Sequence, residues 1–396
     1  MSSKVLDRIF SSQPTPTALL ILENGQIFEG QGFGAPVVNT GEVCFNTSMT
    51  GYQEIMTDPS YAGQMVTFTF PHIGNVGTNG IDIETASPAA LGMIVREWPT
   101  SPSNFRARQS LDAWLRAHNL PAISGIDTRS LTRHIRENGA PNGVIAVNYE
   151  GKFDREALIE LAREWPGLKG MDLAKSVTRA AAEDWHEATW QMADDTYQTG
   201  AAAGPRIIAF DYGCKHNILR CLTEAGCAVE VVPATTSAAD VLARQPDGLF
   251  LSNGPGDPAA TASYASQTIR EIAETGLPVF GICIGHQLIA EAFGASTYKM
   301  GRGHRGANHP VKDLTTGKIE ITSQNHGFAV DQASLPDALE VTHVSLFDGS
   351  VEGLRHRDLP VFSVQYHPES SPGPHDTRYL FDRFTTMVKE NKNAAS

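Results

Sequence analysis

The 396-residue sequence contains no apolar run near the ~18 residues that a membrane span requires. Its first residues, MSSKVLDRIFSSQPTPT, lack the apolar core of a secretory signal, so residues 1–17 read as a flexible N-terminal extension. Cysteine is sparse: five residues, an odd number, with no C-x-x-C spacing. That pattern excludes a disulfide framework and a zinc-finger type of site, and it points to reduced thiols in a cytoplasmic protein. Basic residues are in deficit, 31 Lys+Arg against 44 Asp+Glu, for a formal net charge of −13. Neither nucleic acid nor an anionic membrane is expected as a partner. Internal repeats, long low-complexity segments, a P-loop and metal-ligand spacings are all missing, so no cofactor and no metal are assigned to this chain.

What is present is an α/β pattern in two halves. Residues 181–205, rich in Ala and acidic residues and ending in Gly204-Pro205, read as a linker. Before it, 18–180 reads as a mixed α/β domain with short helical stretches near 106–118 and 128–138. After it, 206–396 alternates buried strands (206–210, 228–232, 248–251, 278–282) with helices (215–225, 237–243, 261–275), the pattern of a parallel sheet covered on both faces. Beyond residue 295 the pattern turns strand-rich, and 376–389 closes the chain as an amphipathic helix.

The strongest local signal is PVFGICIGHQLIAEAFGA, residues 278–295, a strand running through Gly281-Ile282-Cys283-Ile284-Gly285 straight into a helix. This is the arrangement of a nucleophile elbow with cysteine in place of serine. The flanking glycines are expected to permit a sharp turn and close substrate approach. A cysteine at a helix N-terminus faces the positive end of the helix dipole, which favours negative charge on sulfur. Taken alone, Cys283 reads equally well as a small core residue.

A cysteine nucleophile needs a base and the base needs an orienter. Strand 361–365 ends in Tyr366-His367-Pro368-Glu369, where i and i+2 fall on one side, so Glu369 can bond His367. By itself that segment also fits an exposed turn. The loop Ser252-Asn253-Gly254-Pro255-Gly256-Asp257 follows a strand and suits an oxyanion hole of backbone N–H groups. Residues 323–328 (SQNHGF) could line a pocket or form a polar hairpin turn.

Together these motifs resemble the class I, triad-type glutamine amidotransferase domain, whose hallmarks occur in order: NGPGDP at 253–258, GICIGHQ at 281–287 and HPE at 367–369. The resemblance implies a mostly parallel, flavodoxin-like sheet and a triad of Cys283, His367 and Glu369. The first half narrows it: FNTSMTGYQEIMTDPSYAGQMVTFTFPHIGNVGTN (45–79), GIDTRSLTRHIRENG (125–139) and GMDLAKSV (170–177) look like the small-subunit family of carbamoyl phosphate synthetases. Membership would imply a glutaminase subunit that binds glutamine through Ser60, Gly254, Gly256, Ile284, Gln287, Asn325, Gly327 and Phe328. It also implies that ammonia passes to a large synthetase subunit, where ATP and Mg2+ act, as a heterodimer or a higher oligomer of heterodimers. Carbamoyl phosphate would then feed arginine and pyrimidine biosynthesis. Ser60 on its own is an ordinary turn residue after proline. Lys215, in GCKHNI, also matches the family but is assigned no role beyond opening a helix.

Overall fold

A computed structural model describes residues 15–200 and 203–395. Of the extension expected over 1–17, residues 1–14 lie outside the described residues. Thr17 is already tied down: its N–H donates to the Gly30 carbonyl, and its hydroxyl accepts from the Gly32 N–H at 2.8 Å.

The first half closes seven strands into a barrel. Strand Ala18–Leu22 pairs antiparallel with both Ile27–Gly34 and Asn142–Val147, and that second pairing (Ala18 opposite Val147) joins the two ends of the sheet. Strands Val38–Asn46, Gln64–Phe68, Gly92–Ile94 and Pro121–Ser124 complete it in parallel register. Its interior is apolar, with Leu20, Val43, Met65, Ile94, Ile123 and Ile145 fully buried. The two expected helices are Leu111–Ala117, capped by Ser110, and Thr128–Asn138, capped by Asp127. Each cap accepts a backbone N–H that the first helical turn leaves without an internal partner.

The second half is built on a ten-stranded sheet. Its centre is five parallel strands: Arg206–Asp211, Ala228–Pro233, Gly248–Leu251, Val279–Ile282 and Val361–Val364. Numbered along the chain, their spatial order is 2-1-3-4-5, the flavodoxin-like winding. Apolar clusters cover both faces. One contains Phe280 stacked on Phe362 at 4.4 Å, and the other joins Phe210, Leu251 and Ile269. The strand-rich tail adds antiparallel strands Thr297–Asp313, Ile319–Val330, Leu339–Ser345 and Val351–His356 at one edge.

The 181–205 segment differs from the linker expected. Glu183–Trp185 adds antiparallel to Ala228–Pro233 at the other edge of the sheet, and Glu187–Gln191 pairs with Thr196–Thr199 as a hairpin. Polar composition hid these strands, because their stabilisation comes from long-range contacts: Arg220, on helix His216–Glu224, bonds Glu187 and lies over the Tyr197 ring. Among the described residues no helix is long and apolar enough to cross a membrane.

Candidate active site

Four of the candidate segments leave the C-terminal ends of parallel strands. Cys283 follows Val279–Ile282, the 253–258 loop follows Gly248–Leu251, His367 follows Val361–Val364, and Lys215 follows Arg206–Asp211. Open parallel sheets bind ligands at this edge.

Cys283 immediately precedes helix Ile284–Ala292 and is held at φ 55°, ψ −106°, a region that L-residues rarely adopt. Its N–H donates to the Val364 carbonyl, which ties the elbow to the neighbouring strand. The flanking glycines serve packing rather than the turn, contrary to expectation. A Cβ on Gly281 would stand 2.7 Å from the Gly285 carbonyl oxygen, and one on Gly285 only 2.3 Å from that of Leu251. The helix therefore lies against the strands at a distance only glycine permits.

His367 and Glu369 are buried at 2% and 0% exposure, not in an exposed turn. His367 Nδ1 lies 2.6 Å from Glu369 Oε1, so the expected contact is made, but in a buried turn closed by the Ser370 N–H on the His367 carbonyl rather than in an extended segment. Burial opposes charge on the imidazole, but Glu369 and the nearby Cys283 sulfur outweigh it and raise its pKa to about 10. Burial likewise pushes the Glu369 carboxyl up, while Lys215 and His367 pull it down to about 2. The site thus holds a carboxylate and a proton-bearing imidazole together. His286, three residues from Cys283, is no rival base: it faces Ser363 Oγ at 2.9 Å, and burial pushes its pKa down to about 3. Burial also raises Cys44 to about 11 and Cys221 to about 12, which keeps both as thiols.

A narrow pocket in front of Cys283 gathers Ser60, Gly254, Gly256, Gln287, Asn325, Gly327 and Phe328. Ile284 is not part of its wall. Its side chain packs in the core, so what it can offer is the N–H of a first helical residue, which has no intrahelical partner. Gly256 has φ 92°, and a Cβ there would meet the Met171 carbonyl oxygen at 2.6 Å. Gln287 Nε2 is committed to the Phe328 carbonyl at 2.8 Å and Gln365 Oε1 at 2.9 Å, leaving Oε1 for a donor in the pocket. The 323–328 segment is no hairpin turn but lies inside strand Ile319–Val330.

Ser60 reaches the site from the other half of the chain, on the 3-10 turn Pro59–Tyr61, where its hydroxyl accepts from Asn253 Nδ2 at 2.9 Å. Asp58 organises this seam by accepting from the Ser60 N–H at 2.9 Å and from Asn325 Nδ2 at 2.9 Å.

Sequence reasoning missed Asp58, the pocket-lining Gln64, Leu168 and Arg305, and above all the part played by Lys215, whereas Pro255 and His326 lie in segments it had singled out. Lys215 is more than a helix-opening residue. Its ammonium is buried and donates to Glu369 Oε1 at 2.9 Å and to the Ser370 carbonyl at 2.5 Å. Burial pushes that ammonium towards neutrality, but Glu369, Glu84 and Asp58 hold it above the ordinary lysine range. The only signal in the sequence was the family match itself, since Glu369 lies far along the chain.

A cysteine elbow, a His–Glu pair at the next strand end and a Gly-Pro-Gly loop on a 2-1-3-4-5 parallel sheet define the class I amidotransferase type. The family model described as glutamine amidotransferase class-I accordingly matches residues 208–387, and that of the carbamoyl-phosphate synthase small chain, CPSase domain, matches 20–145. Among curated relatives, the carbamoyl phosphate synthase small chain of Bradyrhizobium diazoefficiens is 58% identical, covering 96% of this chain and 96% of its own length. That of Ruegeria pomeroyi is 59% identical over 95% of this chain and 97% of its own. That of Zymomonas mobilis is 56% identical over 94% of this chain and its whole length. The chain belongs to the carbamoyl phosphate synthase small-chain family.

Proposed function

We propose that this chain hydrolyses the side-chain amide of glutamine at Cys283 and delivers the ammonia to a large synthetase subunit that makes carbamoyl phosphate. The observation that carries this reading is the meeting of Cys283, His367 and Glu369 behind one pocket whose walls come from both halves of the chain.

Glutamine lies against Ser60, Gly254, Gly256, Gln287, Asn325, Gly327 and Phe328, with its amide carbon at Cys283. The sulfur attacks that carbon, and the backbone N–H groups of Ile284 and Gly256 receive the oxyanion. His367, already carrying a proton, gives it to the amide nitrogen as the carbon–nitrogen bond breaks and ammonia leaves. Water then loses a proton to His367 and attacks the γ-glutamyl thioester, and glutamate departs as the sulfur is released. Glu369 holds the imidazole Nδ1–H and stabilises its charge throughout. ATP and Mg2+ act on the large subunit, in a heterodimer or an oligomer of heterodimers. The setting is cytoplasmic, and the product feeds arginine and pyrimidine biosynthesis.

The test is to tag this chain in its own host, purify it gently, and assay the eluate with glutamine, bicarbonate and ATP. A co-purifying large subunit together with carbamoyl phosphate is the expected result. Glutamine hydrolysis beside a different synthase would keep the triad chemistry and overturn the pathway.

A further inference from the structure

Strands Thr297–Asp313 and Ile319–Val330 place His304 opposite His326, with the two rings 4.9 Å apart and nearly perpendicular. Glu352, on strand Val351–His356, completes a cluster whose members are 2%, 5% and 0% exposed. Each is held from behind. His326 Nδ1 lies 2.8 Å from the Phe328 carbonyl, and a carbonyl only accepts, so the proton is on Nδ1 and the Nε2 lone pair faces inward. His304 Nε2 lies 2.9 Å from the Asp348 carboxylate, which places that ring's proton on Nε2 and turns Nδ1 inward. Glu352 Oε2 accepts from Gln324 Nε2 at 2.8 Å, while Oε1 faces inward and accepts only a long bond from the Ser350 hydroxyl, at 3.4 Å.

The inward atoms converge. His304 Nδ1 is 3.4 Å and His326 Nε2 3.9 Å from Glu352 Oε1, and all three lie within 4.8 Å of one another. Neither nitrogen has a hydrogen-bond partner, although both are buried. Buried acceptors facing one another are costly unless a cation lies between them. A second proton on His304 would serve only the Glu352 contact and would leave His326 Nε2 without a partner.

We propose that His304 Nδ1, His326 Nε2 and Glu352 Oε1 bind one zinc ion, with water as fourth ligand. Two neutral imidazoles and one carboxylate suit zinc, and its ~2.0–2.1 Å bonds put tetrahedral ligand atoms about 3.4 Å apart, close to the spacing seen. The carbonyl and carboxylate bonded to the far ring nitrogens are the outer partners that metal-bound histidines have. The Glu352 and Asp348 carboxylates balance the divalent charge. His304 and Asp348 also border a surface cavity, which gives the ion a way in. Because His326 adjoins Asn325 and Gly327 in the glutamine pocket, the ion clamps that wall to the two neighbouring strands and takes no part in the reaction. The proposal departs from the sequence-based expectation of no metal, since these ligands are too far apart along the chain to form a recognisable spacing.

The test uses the full-length chain carrying Cys283→Ser, so that the nucleophile's sulfur cannot hold metal. The chain is stripped with a chelator, titrated with Zn2+ and analysed for bound metal. One zinc per chain is expected, weakened more than about 100-fold by Glu352→Gln and by His304→Gln, with circular dichroism verifying that both variants fold. Co2+ in place of zinc should give the visible absorption of a tetrahedral nitrogen–oxygen site, a readout that needs neither variant. Absence of that spectrum, a sulfur-to-cobalt band, or equal zinc binding by the unsubstituted and substituted ligand sets would overturn the proposal.

Discussion

Taking away the Lys215 ammonium leaves Glu369 buried with only His367 to hold it ionised. Lys215→Met is therefore expected to raise the Glu369 pKa and move the acid limb of the glutaminase kcat profile towards neutral pH. A residue that merely filled space would lower kcat evenly at all pH. His367 makes a second residue-scale prediction. Its pKa rises on folding from 6.5 to about 10, so its contribution to stability is full below about pH 6.5 and is lost as pH rises through about 10. The urea midpoint of wild type should thus exceed that of His367→Asn by more at pH 6 than at pH 10. The three residues proposed as the triad could be singled out in the sequence because each sits in a short motif, and Glu369 reaches His367 across two residues. Lys215 could not, because its partner is brought to it only by two strands ending at the same sheet edge.

At the scale of elements, the elbow stores strain at Cys283 and depends on two close-packed glycines. Gly285→Ala would press a methyl against the Leu251 carbonyl, which as backbone cannot swing aside. It should cost about 1–3 kcal/mol in urea unfolding, and more activity than stability because it displaces the helix that positions the Ile284 N–H. Conversely, Cys283→Gly should be more stable than Cys283→Ala by roughly 1 kcal/mol, since only glycine tolerates φ 55° freely. The alternating strands and helices of 206–292 were legible because parallel strands buried on both faces form continuous apolar runs bounded by glycine and proline. The barrel was not, because its closure rests on pairing Ala18 with Val147, and nothing local in either strand announces that partner. Strands 183–199 were hidden because they are polar: Glu183–Trp185 is an edge strand whose partner lies elsewhere in the chain, and the hairpin of Glu187–Gln191 with Thr196–Thr199 is held by contacts to the distant helix His216–Glu224.

At the scale of the whole molecule, the pocket exists only because the two halves meet. Asp58 and Ser60 come from the barrel half, whereas Asn253 and Asn325 come from the sheet half. Asp58→Ala removes the acceptor shared by the Ser60 N–H and the Asn325 amide, and each lost bond of this kind is worth about 1–1.5 kcal/mol. The KM for glutamine should rise by about tenfold or more, with a smaller change in kcat, as steady-state kinetics would report. Composition gave no hint of this seam, and among the motifs only the family match at Ser60 pointed to it.

The proposed division of labour gives the glutamine chemistry to Cys283 and the synthesis to the partner. It is tested most directly by assembling the complex with Cys283→Ser in this chain and measuring carbamoyl phosphate from glutamine and, separately, from ammonium. Loss of the glutamine-dependent rate with the ammonium-dependent rate retained is the predicted result. Glutamine-dependent synthesis that survives the substitution would contradict it.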